Sequence, residues 1–174
     1  MSTERLTESL LTRPPRSSDR AGYRSLFADP AVGEWLRPPP LEPFGTGDAD
    51  EMLSRDREHW KLFGYGPWVL EERAGGPMIG RGGIQWVDLD GGRAAELPWT
   101  IASAHWGRGL ATEAAAAAVE WARSLDLPGV IALVREDHPA SRRVAEKAGL
   151  LLQTETSRAG LPHVVYGLTF EPVA

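Results

Sequence analysis

The stretch "HWGRGLATEA", residues 105–114, sets Gly107 and Gly109 around Arg108 directly ahead of an alanine-rich helical pattern. The first turn of a helix carries amide N–H groups without partners and the positive end of the helix dipole. Glycine lets the backbone approach a ligand closely, so this spacing outlines an anion site, suited to a phosphate or pyrophosphate. The phosphate loop of kinases and ATPases requires Gly-Lys followed by Ser or Thr, and no Gly-Lys pair occurs in the chain. A dinucleotide fingerprint is matched at Gly107 and Gly109, but Thr112 stands where its third glycine belongs, although Glu136 and Asp137 follow the next strand pattern and could meet a ribose. That fold opens with its nucleotide motif and repeats parallel units around it, whereas here a long antiparallel pattern comes first.

The elements that must position this stretch follow from the pattern. "RLTESLLTRPP" reads as a first strand ended by prolines, and Asp19 to Leu36 as short helices interrupted at Asp29-Pro30. Residues 37–47, "RPPPLEPFGTG", form a loop stiffened toward polyproline II at Pro38 to Pro40, serving as a connector or as a cleft wall. Asp48 reads as the N-cap of a helix to about Phe63. An antiparallel meander follows: "GPWVLEER", "MIGRGGIQWVDLD" and "RAAELPWTI". Then come a helix from about Gly109 to Leu125, the apolar strand "GVIALV", a helix from about Pro139 to Ala148 closed by Gly149, and the strands "LLQTET" and "HVVYGLTF". A helix between two strands is a crossover, so the strand ending near Ile101 and the strand at 129–134 are expected to be parallel neighbours. The expected fold is α/β (α+β): a mixed, mostly antiparallel central sheet of about seven strands with flanking helices and one parallel pair. Ala111, Ala114, Ala115 and Ala118 give the crossover helix a small-residue stripe that lets it lie close to that sheet.

Composition bounds the chemistry. A chain of 174 residues, 42% hydrophobic and 25% charged, suits a single domain over 1–174. No run approaches a membrane span, and "MSTERLTESLL" lacks the basic start and apolar stretch of a secretory signal, so a cytoplasmic protein is expected. The absence of cysteine removes thiolate nucleophiles and cysteine-zinc sites, and His59, His105, His138 and His163 show no ligand spacing; no metal is expected. A net charge of −5 without a basic cluster argues against nucleic acid and weakly favours cationic partners.

Three motifs in order resemble the GCN5-related N-acetyltransferases, and most closely the branch that acetylates the N-terminal amines of ribosomal proteins, the RimJ/RimL-like enzymes. They are "ELPWTI" at 96–101, "WGRGLATEA" at 106–114 and "DHPASRRVAEKAG" at 137–149, and the likeness runs best from Gly64 to Thr156. The resemblance implies acetyl-coenzyme A as co-substrate. Its pyrophosphate would lie on the amides of Gly107, Arg108, Gly109, Leu110, Ala111 and Thr112, with the Arg108 side chain alongside. Its pantetheine arm would pair with the backbone of Trp99, Thr100 and Ile101 as an added strand. Trp106 would be mainly a packing residue. By itself Arg108 reads as a solvated surface residue. Pro98 bears on the same pairing from the residues alone, since proline has no N–H for a ladder and kinks or splays a central strand, or else marks an edge.

For chemistry, the resemblance implies direct attack of an amine on the thioester in a ternary complex. An alkylammonium, with a pKa of about 10.4 for lysine and about 8 for an α-amine, must lose a proton before it attacks. Glu96 matches the branch's strand glutamate and is the expected base; read alone it is also consistent with a surface carboxylate. Ser141 matches the serine proposed to protonate the departing thiolate, and reads equally as a helix cap or coenzyme contact. Two departures stand out: His138 replaces the asparagine that touches the coenzyme, and Ala145 replaces the tyrosine that serves as acid in other branches. His138 would take over the contact or donate the proton. Acceptor choice is expected from residues 19–63 and the hairpin tip Asp88 to Gly92, with a protein N-terminus or a small-molecule amine as acceptor. A monomer or homodimer is expected. A non-catalytic acyl-coenzyme A sensor with the same fold is the alternative.

Overall fold

The computed structural model describes residues 3–89 and 91–171. Met1, Ser2 and Asp90, the last at the expected specificity hairpin tip, lie outside the described residues. Among the described residues, ten strands form two five-stranded sheets: β1 (Arg5–Leu6), β2 (Leu10–Arg13), β3 (Pro67–Glu72), β4 (Met78–Gly83) and β7 (Thr100–Ile101) in one, and β5 (Gln85–Leu89), β6 (Gly92–Glu96), β8 (Gly129–Arg135), β10 (Leu161–Thr169) and β9 (Leu151–Arg158) in the other. Five α-helices accompany them: α1 (Arg20–Ala28), α2 (Pro30–Leu36), α3 (Thr46–Phe63), α4 (Leu110–Ser124) and α5 (Pro139–Lys147). All pairings are antiparallel except β6 with β8, so the expected mixed α/β class with one parallel pair holds.

The expected single sheet of about seven strands is instead two sheets, because two expected strands each break in the middle and cross between sheets; a third, "RLTESLLTRPP", folds back on itself as β1 and β2. The chain leaves the first sheet between β4 and β5 at Gly83, whose φ of +104° and backbone crowding leave no room for a side chain: a Cβ would sit 2.7 Å from the Gly66 carbonyl oxygen. It returns through Leu97, Pro98 and Trp99, between β6 and β7. The Leu97 N–H still reaches the Ile131 carbonyl on β8, at 2.8 Å. Pro98 offers no N–H for the next rung, and Thr100 and Ile101 pair with Arg81 and Gly80 of β4 instead. The parallel strands therefore diverge beyond Leu97, and a V opens between β7 and β8.

Packing fixes the helices around this opening. On α4, Ala114, Ala115, Ala118 and Ala122 are buried, and a Cβ on Gly82 would meet Ala114 at 3.6 Å, so the small-residue stripe does bring helix and sheet close. Trp121 of α4 stacks on Trp68 of β3, centroids 4.7 Å apart, and on Trp60 of α3 at 5.4 Å; such pairs add about 0.5–1.5 kcal/mol each beyond the area they bury. A second cluster, Tyr23, Leu26, Phe27, Ala49, Leu53 and Val69, seats α1 and α3 on the first sheet.

Two local expectations change. Asp48 is not the N-cap of α3: the helix starts at Thr46 after Gly45, and the Asp48 carboxylate reaches back to the Gly45 N–H at 2.8 Å, as a third-position acid does. Pro38 to Leu41 form a turn closed by the Leu41 N–H on the Pro38 carbonyl at 3.0 Å, not an extended polyproline segment.

Candidate functional site

The V holds a cleft of about 1390 Å³ that runs from the mouth of α4 past β7 to α3 and the β9–β10 turn. Gly107 and Gly109 both take left-handed conformations, φ +75° and +77°, and Gly109 occupies the cap position of α4 without a side chain to satisfy the first turn. The amides of the following residues are thereby left for a ligand, and Gly107, Gly109, Leu110, Ala111 and Thr112 all line the cleft. Arg108 does not: it is exposed, donating to Glu72 at 2.5 Å and lying 2.9 Å from the His105 ring, and the guanidinium holds the Glu72 carboxyl below its usual range.

Antiparallel pairing alternates which residues face the partner strand. The Ala102 N–H donates to Ile79 on β4 at 2.9 Å, so Thr100 and Ala102 face β4 while the backbone groups of Trp99 and Ile101 face the cleft. The Ile101 carbonyl is held there by the Trp106 indole N–H at 2.6 Å. Trp106 is 46% exposed, so it is a clamp on β7 more than the packing residue expected of it.

Glu96 sits at the end of β6 in the floor of the cleft and is only 4% exposed. Its Oε2 accepts from Gln85 Nε2 at 2.7 Å and its Oε1 from the Arg158 guanidinium at 3.0 Å. Gln85 is in turn bonded by Arg81 at 2.7 Å, Arg81 forks onto Asp56 of α3 with two bonds of 2.6 Å, and Asp56 accepts the Tyr23 hydroxyl at 2.7 Å. One chain of hydrogen bonds thus links Tyr23, Asp56, Arg81, Gln85, Glu96 and Arg158. Of these, only Glu96 was a site expectation. The Gln85–Glu96 link follows from their being register partners on β5 and β6; the others join elements far apart in sequence.

On the opposite wall, α5 presents Ser141, whose Oγ accepts the Trp99 indole N–H at 3.0 Å, leaving its own hydroxyl hydrogen to donate into the cleft. His138 caps α5 by accepting the Ser141 N–H at 3.4 Å and stacks on Trp35, centroids 3.8 Å apart. Burial, helped by nearby Arg135, lowers its pKa, which favours the neutral ring that this cap requires. Ala145, where other branches have a tyrosine, is fully buried in the core. His59 is also kept neutral: burial outweighs its contact with the Tyr65 carbonyl at 2.8 Å, and its Nε2 accepts the Trp86 N–H at 3.1 Å.

A group whose folded pKa lies below its unfolded value contributes stability in full above the unfolded pKa and loses it as pH falls through the folded one. His59 and His138 therefore destabilise the fold as pH drops below about 6.5. Melting followed from about pH 8 to about pH 5 is expected to show a falling Tm, and His138→Asn, which keeps a capping side chain without titrating, to reduce the slope. An unchanged slope in that variant contradicts the assignment of His138.

Residues 9–151 match the acetyltransferase (GNAT) domain, and the chain belongs to that family. Acetyl-coenzyme A is the family's co-substrate, and a long cleft with a helix mouth at one end and, along its side, a strand edge that no other strand covers fits it. The chain is 27% identical to YkkB of Bacillus subtilis strain 168, an uncharacterized protein, over 94% of both chains. An acetyltransferase from Agrobacterium tumefaciens C58 superposes with a TM-score of 0.82 at 28% identity, covering 98% of this chain and 96% of that one. The ribosomal-protein-S5-alanine acetyltransferase of Vibrio fischeri shares the fold, with a TM-score of 0.77 at 16% identity and 97% of each chain covered. Among the described residues no helix is long and apolar enough to cross a membrane, and no group of three or more His, Asp or Glu is placed to hold a metal.

Proposed function

We propose that this acetyltransferase moves the acetyl group of acetyl-coenzyme A to a primary amine by direct attack, with both substrates held in the V and the protein working in the cytoplasm. The observation that carries the reading is Glu96: a buried carboxylate in the cleft floor, beside the strand edge that opens where Pro98 ends the parallel ladder. The amides at the mouth of α4 hold the pyrophosphate, and the cleft-facing backbone of Trp99 and Ile101 takes the pantetheine arm and leaves the Ile101 N–H to steady the carbonyl oxygen as charge develops on it. The amine nitrogen bonds to the acetyl carbon, the carbon–sulfur bond breaks, Glu96 accepts the amine proton, and Ser141 hydrogen-bonds the departing sulfur. The acceptor is a primary amine, at a protein N-terminus or on a small molecule; the Vibrio fischeri neighbour, by its name a ribosomal-protein-S5-alanine acetyltransferase, supports the former.

Acetyl-coenzyme A at about 100 times its Kd is expected to stabilise the fold by about 2.7 kcal/mol, which raises the Tm by several degrees. Thiol release over a panel of peptide and small-molecule amines then tests turnover. No Tm shift at millimolar coenzyme removes the reading. A second reading, a non-catalytic sensor, is favoured by the two hydrogen bonds that already hold Glu96; coenzyme binding with no thiol release on any amine selects it.

A further inference from the structure

Resting on the acetyl-transfer reading, we propose that Arg158 is a specificity-determining residue: its guanidinium, seated on Glu96 at the cleft surface, rejects ammonium ions and makes the site take its acceptor as a neutral amine of low pKa. Arg158 is the last residue of β9, and a two-residue turn, Ala159 with φ +51° and Gly160 with φ +75°, returns the chain to Leu161. That turn reaches the loop around Leu41 and Phe44, so the Arg158 side chain is delivered at the acceptor end of the cleft. Its side chain is 48% exposed and that of Glu96 only 6%, so the guanidinium stands between the carboxylate and solvent.

A tally of charges gives the consequence. Asp56 and Arg81 are buried and cancel, and Glu96 and Arg158 cancel. The connected network is therefore neutral overall, and in the rest of the cleft lining Asp48, Glu51 and Asp88 stand against Arg37, Arg55 and Arg135, so an approaching ammonium meets a guanidinium first and no net negative charge behind it. A neutral amine meets no such opposition: its lone pair bonds to the acetyl carbon, the carbon–sulfur bond breaks, Glu96 takes one N–H proton, and the thiolate leaves to be protonated from solvent, giving the amide and the free thiol. An α-amine, with a pKa of about 8, supplies that neutral form far more readily than a lysine side chain at about 10.4.

The test compares alanine amide with Nα-acetyl-lysine amide at one fixed pH in wild type, Arg158→Met and Arg158→Lys. Solution pKa values alone favour alanine amide, so the diagnostic quantity is the change in the kcat/KM ratio between variants. Arg158→Met leaves Glu96 as an unopposed negative charge and is expected to narrow the ratio by on the order of tenfold, through the lysine amide, while Arg158→Lys keeps the wild-type ratio. An unchanged ratio, or an equal fall on both amines, assigns Arg158 to structure and overturns the proposal. Should no amine yield thiol, the acetyl-transfer reading fails, and calorimetric titration of Nα-acetyl-lysine amide into the protein held with coenzyme A still decides the selectivity. Tighter binding to Arg158→Met, on the order of tenfold, supports it, and equal or no binding overturns it.

Discussion

Glu96→Gln is expected to retain acetyl-coenzyme A binding and to lose amine acetylation by a factor on the order of 10²–10⁴ in kcat/KM. The amide is isosteric with the carboxylate, so it keeps the buried volume and can still accept the Gln85 bond with its one oxygen. What it cannot do is take a proton from the attacking amine. Its NH₂ group would face the Arg158 guanidinium, donor against donor, but Arg158 is half exposed and can turn to water at little cost. Stability is therefore expected to move little, and the coenzyme-induced Tm shift to persist, because the amides of α4 and the edge of β7 are untouched. The checking measurements are thiol release and the Tm shift on the same preparation. Full activity in Glu96→Gln would move the base elsewhere, to water or to the amine's own ionisation, and would make Glu96 a partner for Arg158 alone.

Much of this site was legible in the sequence, and the reason is that its parts lie in short, local patterns. Gly107 and Gly109 ahead of an alanine stripe announce a helix mouth close to a sheet, and Pro98 announces a strand that cannot continue its ladder; the structure shows both. The break at Gly83 was harder to see, because a glycine within a strand pattern signals a bulge as readily as a change of sheet. One expected sheet consequently became two. The place of the Arg108 side chain was hidden for a different reason: it pairs with Glu72, thirty-six residues away on β3, a partner that local spacing does not reveal. Trp106 looked like packing because tryptophan usually is, whereas its role here is one hydrogen bond to Ile101.

The network behind Glu96 was not legible at all. Asp56 lies in "SRDREHW", where an aspartate between arginines reads as part of a solvated helix face, and Arg81 lies in "GRGG" within a strand pattern, where nothing marks it as buried. Only the packing of α3 across β4 turns these into a buried pair. Arg158 lies in a polar edge strand with no pattern to separate it from its neighbours. Its significance depends on the β9–β10 register that puts it opposite Leu161 and over the cleft.

Asp56→Ala is expected to cost about 3–5 kcal/mol and to lower the Tm by roughly 10 °C, the largest effect on stability among the residues of this network. Asp56 is 2% exposed, and its two oxygens satisfy both arms of the Arg81 fork and the Tyr23 hydroxyl. Alanine removes both acceptor oxygens, with the three hydrogen bonds they take, and leaves a guanidinium, itself buried, without a counterion. Loss of a hydrogen bond alone would cost far less, so the size of the effect separates an uncompensated charge from a missing contact. Asp56→Asn keeps an acceptor but not the charge and is expected to fall between the two. Removing both charges in Asp56→Leu with Arg81→Met is expected to recover part of the loss, since a buried ion pair exchanged for apolar side chains is often neutral. A drop of only a degree or two in Asp56→Ala would mean that Arg81 finds a new partner, and the available one is Glu96, reached through Gln85. In that case the stability retained should be matched by a loss of acetyl transfer, because a second guanidinium drawn toward Glu96 weakens it as a base.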